Sequence, residues 1–254
     1  MSEPLYIHNF KSPEVEEYLK EDDRIIIPVG SVEQHGPHAP LGTDSFVAQR
    51  ISEDVSAEEG VMLCSPVWFG WSPHHLGLPG TISVDAEVMI DLFFEIVKSL
   101  NEHGFKKFIF LNGHRVVNIS WLQIVAEKCK RKLGVAIKIF DPAYMGKEIV
   151  RELDIGSIGH AEQLETSQML YLMPEKVDMD KAIDYEPEEK LHYHIDPSDM
   201  RDTLNYVPGT KEDIAGLKDV SGGANGLPTK SSKEIGKKIH EHLCQRLKEV
   251  LGDF

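Results

Sequence analysis

The chain has few cysteines and no long apolar run, and each shortage excludes a class of protein. Its 254 residues contain three cysteines, which are widely spaced and form no CxxC pair. This excludes a disulfide framework and a cysteine-rich zinc site, so we expect Cys64, Cys129 and Cys244 to be buried free thiols in a reducing cytoplasm. No apolar run approaches the ~20 residues of a membrane-spanning helix, and the N-terminus lacks the pattern of a signal peptide.

Positive charge is also scarce. The chain has 27 Lys and Arg against 42 Asp and Glu, a net charge of -15. Nucleic acids and anionic membranes are bound by basic faces, so we expect neither as a partner. The remaining composition is that of a globular protein, with 41% hydrophobic and 27% charged residues. No clean linker or internal repeat interrupts the chain, which predicts one domain over residues 1–254.

The first 140 residues alternate short apolar runs with longer amphipathic segments. Strands are predicted at 24–29, 61–67, 107–111 and 135–140, and helices at 44–55, 86–102 and 121–132. Along the helix at 86–102, four apolar residues recur on one face: Val88, Leu92, Ile96 and Leu100. Strands that alternate with helices indicate an α/β fold, with a parallel sheet covered on both faces.

The second half is less regular. A helix is predicted at 161–172, ended by Pro174, whereas the acidic, Gly- and Pro-rich segment 175–230 gives no assignment. Ser231 and Glu234 fit a capping box that would open the last helix. In that helix a single apolar face is formed by Ile235, Ile239, Leu243 and Leu247.

Metal-capable side chains are concentrated in three segments. These are 28–44 (PVGSVEQHGPHAPLGTD), 108–114 (FIFLNGH) and 159–167 (GHAEQLETS). The first two continue predicted buried strands, and active sites of open parallel sheets lie beyond the carboxyl ends of strands. Glu33 and His35, two residues apart in an extended loop, would point the same way, and His114 would lie beside them if the two strands are neighbours. Imidazole and carboxylate ligands suit zinc, manganese or iron(II) without choosing among them.

Each of these side chains also has a plainer interpretation. Asp44 could cap the helix that it precedes. Glu162 and Glu165, one helical turn apart, could form a solvated face. The remaining loop histidines could be structural. Alternatively, His38, His74 and His75 could touch substrate, and His192 and His194 could belong to a lid.

Taken together, the motifs resemble those of the creatininase family. The resemblance rests on residues 28–44, on LPGTIS at 78–83, on NGH at 112–114 with Asn118, and on the HA and ETS elements of 160–167. It implies a three-layer α/β/α fold with a mainly parallel central sheet, a site for two divalent transition metals (Zn, Mn or Fe) and a homo-oligomer, often a hexamer.

The resemblance also implies a ligand set. Glu33, Asp44 and His114 would hold one ion, and His35 and Asp44 the other, with Asp44 bridging. In members that hydrolyse creatinine, the second ion also takes a glutamate two residues after the N-G-H histidine. Val116 stands there in this chain, and Glu165 is the candidate that replaces it.

The implied activity is that of a metal-dependent amidohydrolase with no organic cofactor. A metal-activated water would attack the carbonyl carbon of a cyclic amide or formamide. His160 would act as acid and base, and Glu165 as a ligand or as the residue that orients His160. Gly156 replaces a pocket tryptophan of the creatinine-hydrolysing members, which disfavours creatinine as the substrate. Two alternatives stay open: ring opening of an oxidised inositol or cyclic diketone, and a non-catalytic metal-binding protein.

Overall fold

The sheet has four strands, all parallel. A computed structural model describes residues 3–156, 158–186 and 209–254. The strands are β1 (Arg24–Val29), β2 (Met62–Leu63), β3 (Lys107–Asn112) and β4 (Ala136–Phe140). Their order is β2-β1-β3-β4, so β1 and β3 are neighbours in the centre. The predicted α/β class is therefore confirmed.

One predicted strand is much shorter in the structure. The run at 61–67 forms a ladder only at Met62 and Leu63, and Val67 returns as an isolated bridge to Val29. Pro66 has no N–H to donate and interrupts the ladder. An apolar run alone does not show this interruption.

Nine helices lie within the described residues. They are α1 (Ser12–Glu21), α2 (Thr43–Glu59), α3 (Ala86–His103), α4 (Ile119–Leu133), α5 (Pro142–Met145), α6 (Lys147–Glu152), α7 (Gln163–Leu172), α8 (Lys211–Gly216) and α9 (Lys233–Gly252). The predicted helices correspond to α2, α3, α4, α7 and α9, with ends that differ by a few residues. Among the described helices, none is long and apolar enough to cross a membrane.

The two faces of the sheet carry separate hydrophobic cores. Side chains alternate along a strand, so Ile26 of β1 packs with α2, α7 and α9, whereas Ile25 and Ile27 pack with α3 and α4. All three are almost fully buried. Burial of one such side chain contributes about 1.5–3 kcal/mol. The helices on both faces hold the carboxyl ends of β1 and β3 in fixed positions, where the candidate site lies.

The buried stripe of α3 differs from the apolar stripe in the sequence. Met89, Phe93 and Val97 face the core, whereas Val88 and Leu92 are 56% and 44% exposed. Residues one position apart lie about 100° apart around a helix. Both stripes are apolar, so the spacing of four residues could not decide which of them faces the sheet.

The N-cap of α9 is one residue later than the predicted N-cap, Ser231. Ser232 is the N-cap, and its hydroxyl accepts a hydrogen bond from the backbone N–H of Ile235 at 3.2 Å. Ser231 instead donates to the backbone oxygen of Gln163 at 3.1 Å. The predicted box of Ser231 and Glu234 is therefore wrong, because Ser231 is used to bind α9 to α7.

The remaining local predictions have mixed outcomes. Cys129 and Cys244 are buried free thiols as expected, whereas Cys64 is only partly buried. In the described part of the unassigned segment 175–230, the structure places the short helix α8 and two complete 3₁₀ turns, and a third turn, Pro174–Lys176, overlaps its start. His192 and His194 lie outside the described residues.

Candidate metal centre

The loop after β1 carries the first two candidate ligands. Glu33 and His35 are completely buried. Gly36 has a φ of 64°, a left-handed conformation that glycine adopts without a steric penalty, and the chain turns there. The N-cap of α2 is Gly42, so Asp44 lies inside the first turn of the helix and does not cap it. The capping interpretation of Asp44 is wrong, and its carboxylate faces the buried loop.

Four predicted ligands converge in the structure. Val29 of β1 pairs with Asn112 of β3, which places His114 beside the first loop. The His114 Nδ1 atom lies 3.1 Å from Asp44 Oδ2, and its Nε2 atom lies 3.2 Å from Glu33 Oε2. The His35 Nε2 atom lies 3.3 Å from Asp44 Oδ1. His114 thus turns a different ring nitrogen to each carboxylate, and among the described residues one ligand atom each of Glu33, His35 and Asp44 lie within 4.8 Å of one another.

The site contains buried polar atoms that have no hydrogen-bond partner. They are both carboxylate oxygens of Glu33, Oδ2 of Asp44 and Nε2 of His35. Most buried polar atoms in folded proteins are hydrogen-bonded, so four exceptions in one cluster require an explanation. Carboxylate oxygens and imidazole nitrogens are the ligands that divalent transition metals take. The residues therefore fit the implied ion.

The electrostatics of the cluster favour bound positive charge. Burial raises the pKa of Glu33 to about 7, against the attraction of His114. Burial opposes protonation of His35 and His114, but neighbouring carboxylates outweigh it and raise the pKa values to about 10 and about 9. Burial would raise the pKa of Asp44 as well, yet the two imidazoles hold it far below its usual range. The carboxylates of the site thus stabilise positive charge on the imidazoles although the site is buried.

The two predicted catalytic residues lie at the edge of this cluster. The His160 Nε2 atom lies 2.5 Å from the backbone oxygen of Gln34, and its Nδ1 atom lies 3.7 Å from Glu33 Oε1. Glu165 Oε2 lies 3.6 Å from His35 Nε2. Burial, with the positive charge on His35, lowers the pKa of His160 to about 3. His160 is therefore a neutral imidazole beside the candidate ligands.

Arg115 is a buried partner that the sequence analysis did not include. Its Nη2 atom donates to Glu162 Oε1 at 2.7 Å, and its Nε atom donates to Glu165 Oε1 at 3.0 Å. Both glutamates are buried, so they are not a solvated helix face. Burial would raise the pKa of Glu165, but Arg115 outweighs it and lowers the value. A cation directly after N-G-H, with two glutamates one turn apart, is the signal that could have revealed this pairing.

His75, one of the loop histidines that the sequence offered as a substrate contact, lies against Glu33. It lies in the 3₁₀ turn Pro73–Gly77, with Nε2 at 3.3 Å from Glu33 Oε1. Its Nδ1 atom accepts from the Gln34 side-chain amide at 2.8 Å. Glu33, His75 and His160 therefore form a further set of ligand atoms within reach of one ion. His75 is a candidate ligand or substrate contact.

The other two loop histidines stand further from the ligands. The ring of His74 stacks against that of His114, with 6.2 Å between the ring centroids. His38 is hydrogen-bonded to the Thr166 hydroxyl at 2.9 Å, which indicates a structural role.

The two positions that depart from the family motifs have clear surroundings. Val116 has a φ of 65°, and its N–H donates to Asp141 at 2.8 Å. A left-handed β-branched residue is a steric outlier, so this turn is held by its hydrogen bonds. Gly156 is exposed, and among the described residues a Cβ added there would meet only Leu227 within 4 Å. As a glycine, it cannot itself supply the wall that a tryptophan would form at this position.

Gly113→Ala is expected to displace Asp44 and to weaken metal binding. An added Cβ would lie 2.0 Å from the Asp44 backbone oxygen, which forces β3 and α2 apart. Overpacking of this kind costs about 1–3 kcal/mol. Thermal unfolding and metal titration measure the two effects. Gly216→Ala is the matched control, because an added Cβ there would meet none of the described residues within 4 Å. Equal behaviour of the two variants would disprove the close packing of β3 against α2.

Comparison with known proteins agrees with the motifs. A sequence model described as creatininase, creatinine amidohydrolase, matches residues 8–251. A 3-dehydro-scyllo-inosose hydrolase of Thermotoga maritima is 33% identical over 98% of this chain and 83% of that protein. A creatinine amidohydrolase of Pseudomonas putida is 25% identical over 83% of this chain and 87% of that protein. A crystal structure of creatininase superposes with a TM-score of 0.79 at 22% identity, covering 98% of this chain and 97% of the other.

Proposed function

Because the chain belongs to the creatininase family of hydrolases, we propose that Glu33, Asp44 and His114 hold a divalent transition metal. The observation that carries this proposal is the cluster of buried oxygen and nitrogen atoms without hydrogen-bond partners. The activity that it supports is the addition of water to a carbonyl carbon of a small ring.

A second ion has a less complete set of ligands. The His35 Nε2 atom lies 3.3 Å from Asp44 Oδ1 and 3.6 Å from Glu165 Oε2. We propose Glu165 as the third ligand, in competition with its ion pair to Arg115. Solved creatininases are described as a Zn–Zn form and as a Mn form, which supports zinc or manganese here.

His160 is proposed to carry the proton. A bound divalent ion would lower the pKa of water and polarise a carbonyl oxygen. The Gln34 backbone oxygen accepts the Nε2 proton of His160, so the Nδ1 atom is left bare on the side of Glu33. This nitrogen can take a proton from water and pass it to the leaving atom of the substrate. Glu165, fixed by Arg115 and by the Ala161 N–H at 2.6 Å, would hold the nearby edge of the site in place.

We propose a cyclic diketone of the oxidised-inositol type as the substrate. The relative that is 33% identical over 98% of this chain is a 3-dehydro-scyllo-inosose hydrolase, and Gly156 provides no aromatic wall. The oxygen of water would bond to a ring carbonyl carbon, and the adjacent C–C bond would break. The released electron pair would be stabilised by the second carbonyl group and protonated by His160, which gives an open-chain carboxylate.

A cyclic amide, which the motifs suggested first, is the second candidate. It is favoured by the similarity to creatinine amidohydrolase over 83% of this chain. The same attack on a carbonyl carbon would then break a C–N bond, and His160 would protonate the leaving nitrogen. A single domain over residues 1–254, a homo-oligomer such as a hexamer, and a cytoplasmic location are further proposals, which rest on the sequence and on the resemblance.

A comparison of substrates tests the choice. We expect the metal-loaded protein to open a polyhydroxylated cyclic 1,3-diketone with a kcat/KM at least ~10²-fold above that for creatinine or a formamido-pyrimidine, as one well-matched pocket contact can supply. Chelated protein should turn over neither class. Turnover of the amide alone would reverse the assignment, and activity that persists after complete removal of metal would eliminate the proposed chemistry.

A further inference from the structure

A second cluster of metal-capable side chains joins α2 to α9, away from the candidate metal centre. Asp54 lies on α2, and His240 and Cys244 lie one turn apart on α9. Asp54 follows Asp44 by ten residues, so the cluster lies about 15 Å along α2 from the ligands at the helix start. One oxygen, one nitrogen and one sulfur atom lie within 4.8 Å of one another.

The three atoms converge on one point. The His240 Nε2 atom lies 2.7 Å from Asp54 Oδ2 and 3.4 Å from Cys244 Sγ. In a tetrahedral zinc site, bonds of about 2.0–2.3 Å keep the ligand atoms roughly 3.3–3.7 Å apart. The distance between Cys244 Sγ and His240 Nε2 already matches this spacing. The Asp54 carboxylate would need to move away from His240 by about half an ångström. Its side chain is 27% exposed, which leaves room for this movement.

The surroundings of the cluster direct its three ligand atoms towards one another. Arg50 binds the other oxygen of Asp54, with Nη2 at 3.2 Å from Oδ1, so the contact with His240 is made by Oδ2. His240 and Cys244 are at least nine-tenths buried, and both contacts of His240 within the cluster are made by Nε2. Imidazole and thiolate on the buried face of a helix, opposed by a carboxylate, are zinc ligands by type.

A nucleophilic role does not fit the same geometry. In a Cys–His–Asp triad the thiol and the carboxylate contact different ring nitrogens, which lets the imidazole relay a proton. Here both contact Nε2 of His240. Burial also raises the pKa of Cys244, so its thiol is not activated in the absence of a cation.

We propose that Asp54, His240 and Cys244 bind one zinc-class ion, which links α9 to α2. The ion would stabilise the packing of α2, the helix whose first turn carries Asp44, without taking part in the reaction. Because the thiol must lose its proton to bind, occupancy of this site rises with pH.

Cobalt(II) is the probe that separates this site from the candidate metal centre. A thiolate bound to Co²⁺ gives a near-ultraviolet charge-transfer band, and the candidate centre contains no cysteine among the described residues. We expect the intact protein to show this band on titration with Co²⁺. Cys244→Ser should lose the band and still bind cobalt at the other centre. Cys129→Ser, a buried cysteine in the other core, is the matched control and should keep it.

Asp54→Asn provides a second test that leaves the buried thiol in place. The Co²⁺ affinity measured from the thiolate charge-transfer band should fall at least tenfold in this variant. The variant also tests the proposal if Cys244→Ser fails to fold. A protein that shows no charge-transfer band at saturating Co²⁺ overturns the proposal. So does a band that survives in both Cys244→Ser and Asp54→Asn. Neither outcome bears on the hydrolytic function, which depends on other residues.

Discussion

Asp44→Ala is expected to abolish turnover and to leave the protein folded. Among the described residues, Asp44 is the one whose carboxylate contacts both candidate metal-binding imidazoles, with His114 Nδ1 at 3.1 Å and His35 Nε2 at 3.3 Å. Its loss removes a ligand from both proposed ions. The fold should survive because the two imidazoles, whose pKa values the carboxylates raise, can release their protons and remain buried as neutral rings.

Metal content and circular dichroism measure the two halves of this prediction. Asp44→Ala should bind less than one equivalent of zinc or manganese at the centre and should keep the helical spectrum. Glu59→Ala is the matched control, because it removes an exposed carboxylate at the far end of the same helix, and it should behave as the wild type does. Retained turnover in a folded Asp44→Ala protein would refute the bridging role.

His160→Ala is expected to slow turnover by ~10²–10⁴-fold with little change in metal content, the usual range for loss of an acid–base group. The side chain is 17% exposed, whereas the proposed ligands are almost fully buried. Its Nε2 proton is held by the Gln34 backbone, and the bare Nδ1 atom faces the centre. The residue is therefore placed to exchange protons with a substrate.

Metal analysis decides between this role and ligation. His160 also lies within reach of ions held by Glu33 and His75, or by His35 and Glu165. If His160→Ala loses an equivalent of metal, His160 is a ligand and the proton is carried by another group. His103→Ala, an exposed histidine at the end of α3, is the control for the loss of an imidazole and should retain full activity.

The strand ends could be predicted from the sequence because local chemistry determines them. RIIIPV and KFIFL are buried runs that stop at glycine-containing loops, and the residues beyond them carry the ligands. The parallel pairing of β1 with β3 then places His114 beside Asp44 and Glu33. For these residues, the order of apolar runs and polar loops along the chain is what predicts the positions of the ligands.

Contacts between distant segments could not be predicted in the same way. His75 follows a proline in an irregular loop, and only the folding of 73–77 over the sheet edge brings it to Glu33. Arg115 is about fifty residues from Glu165 of α7 and from Glu162, the N-cap of that helix. Val88 and Leu92 illustrate the same limit, because the packing of α3 selects one of two apolar stripes.

Anomalous X-ray diffraction from crystals of the zinc- or manganese-loaded protein tests the central claim most directly. We predict a metal peak at about 2.0–2.2 Å from carboxylate oxygens of Glu33 and Asp44 and from a ring nitrogen of His114. A fully loaded protein whose anomalous peaks all lie beyond coordination distance of these three residues would contradict it.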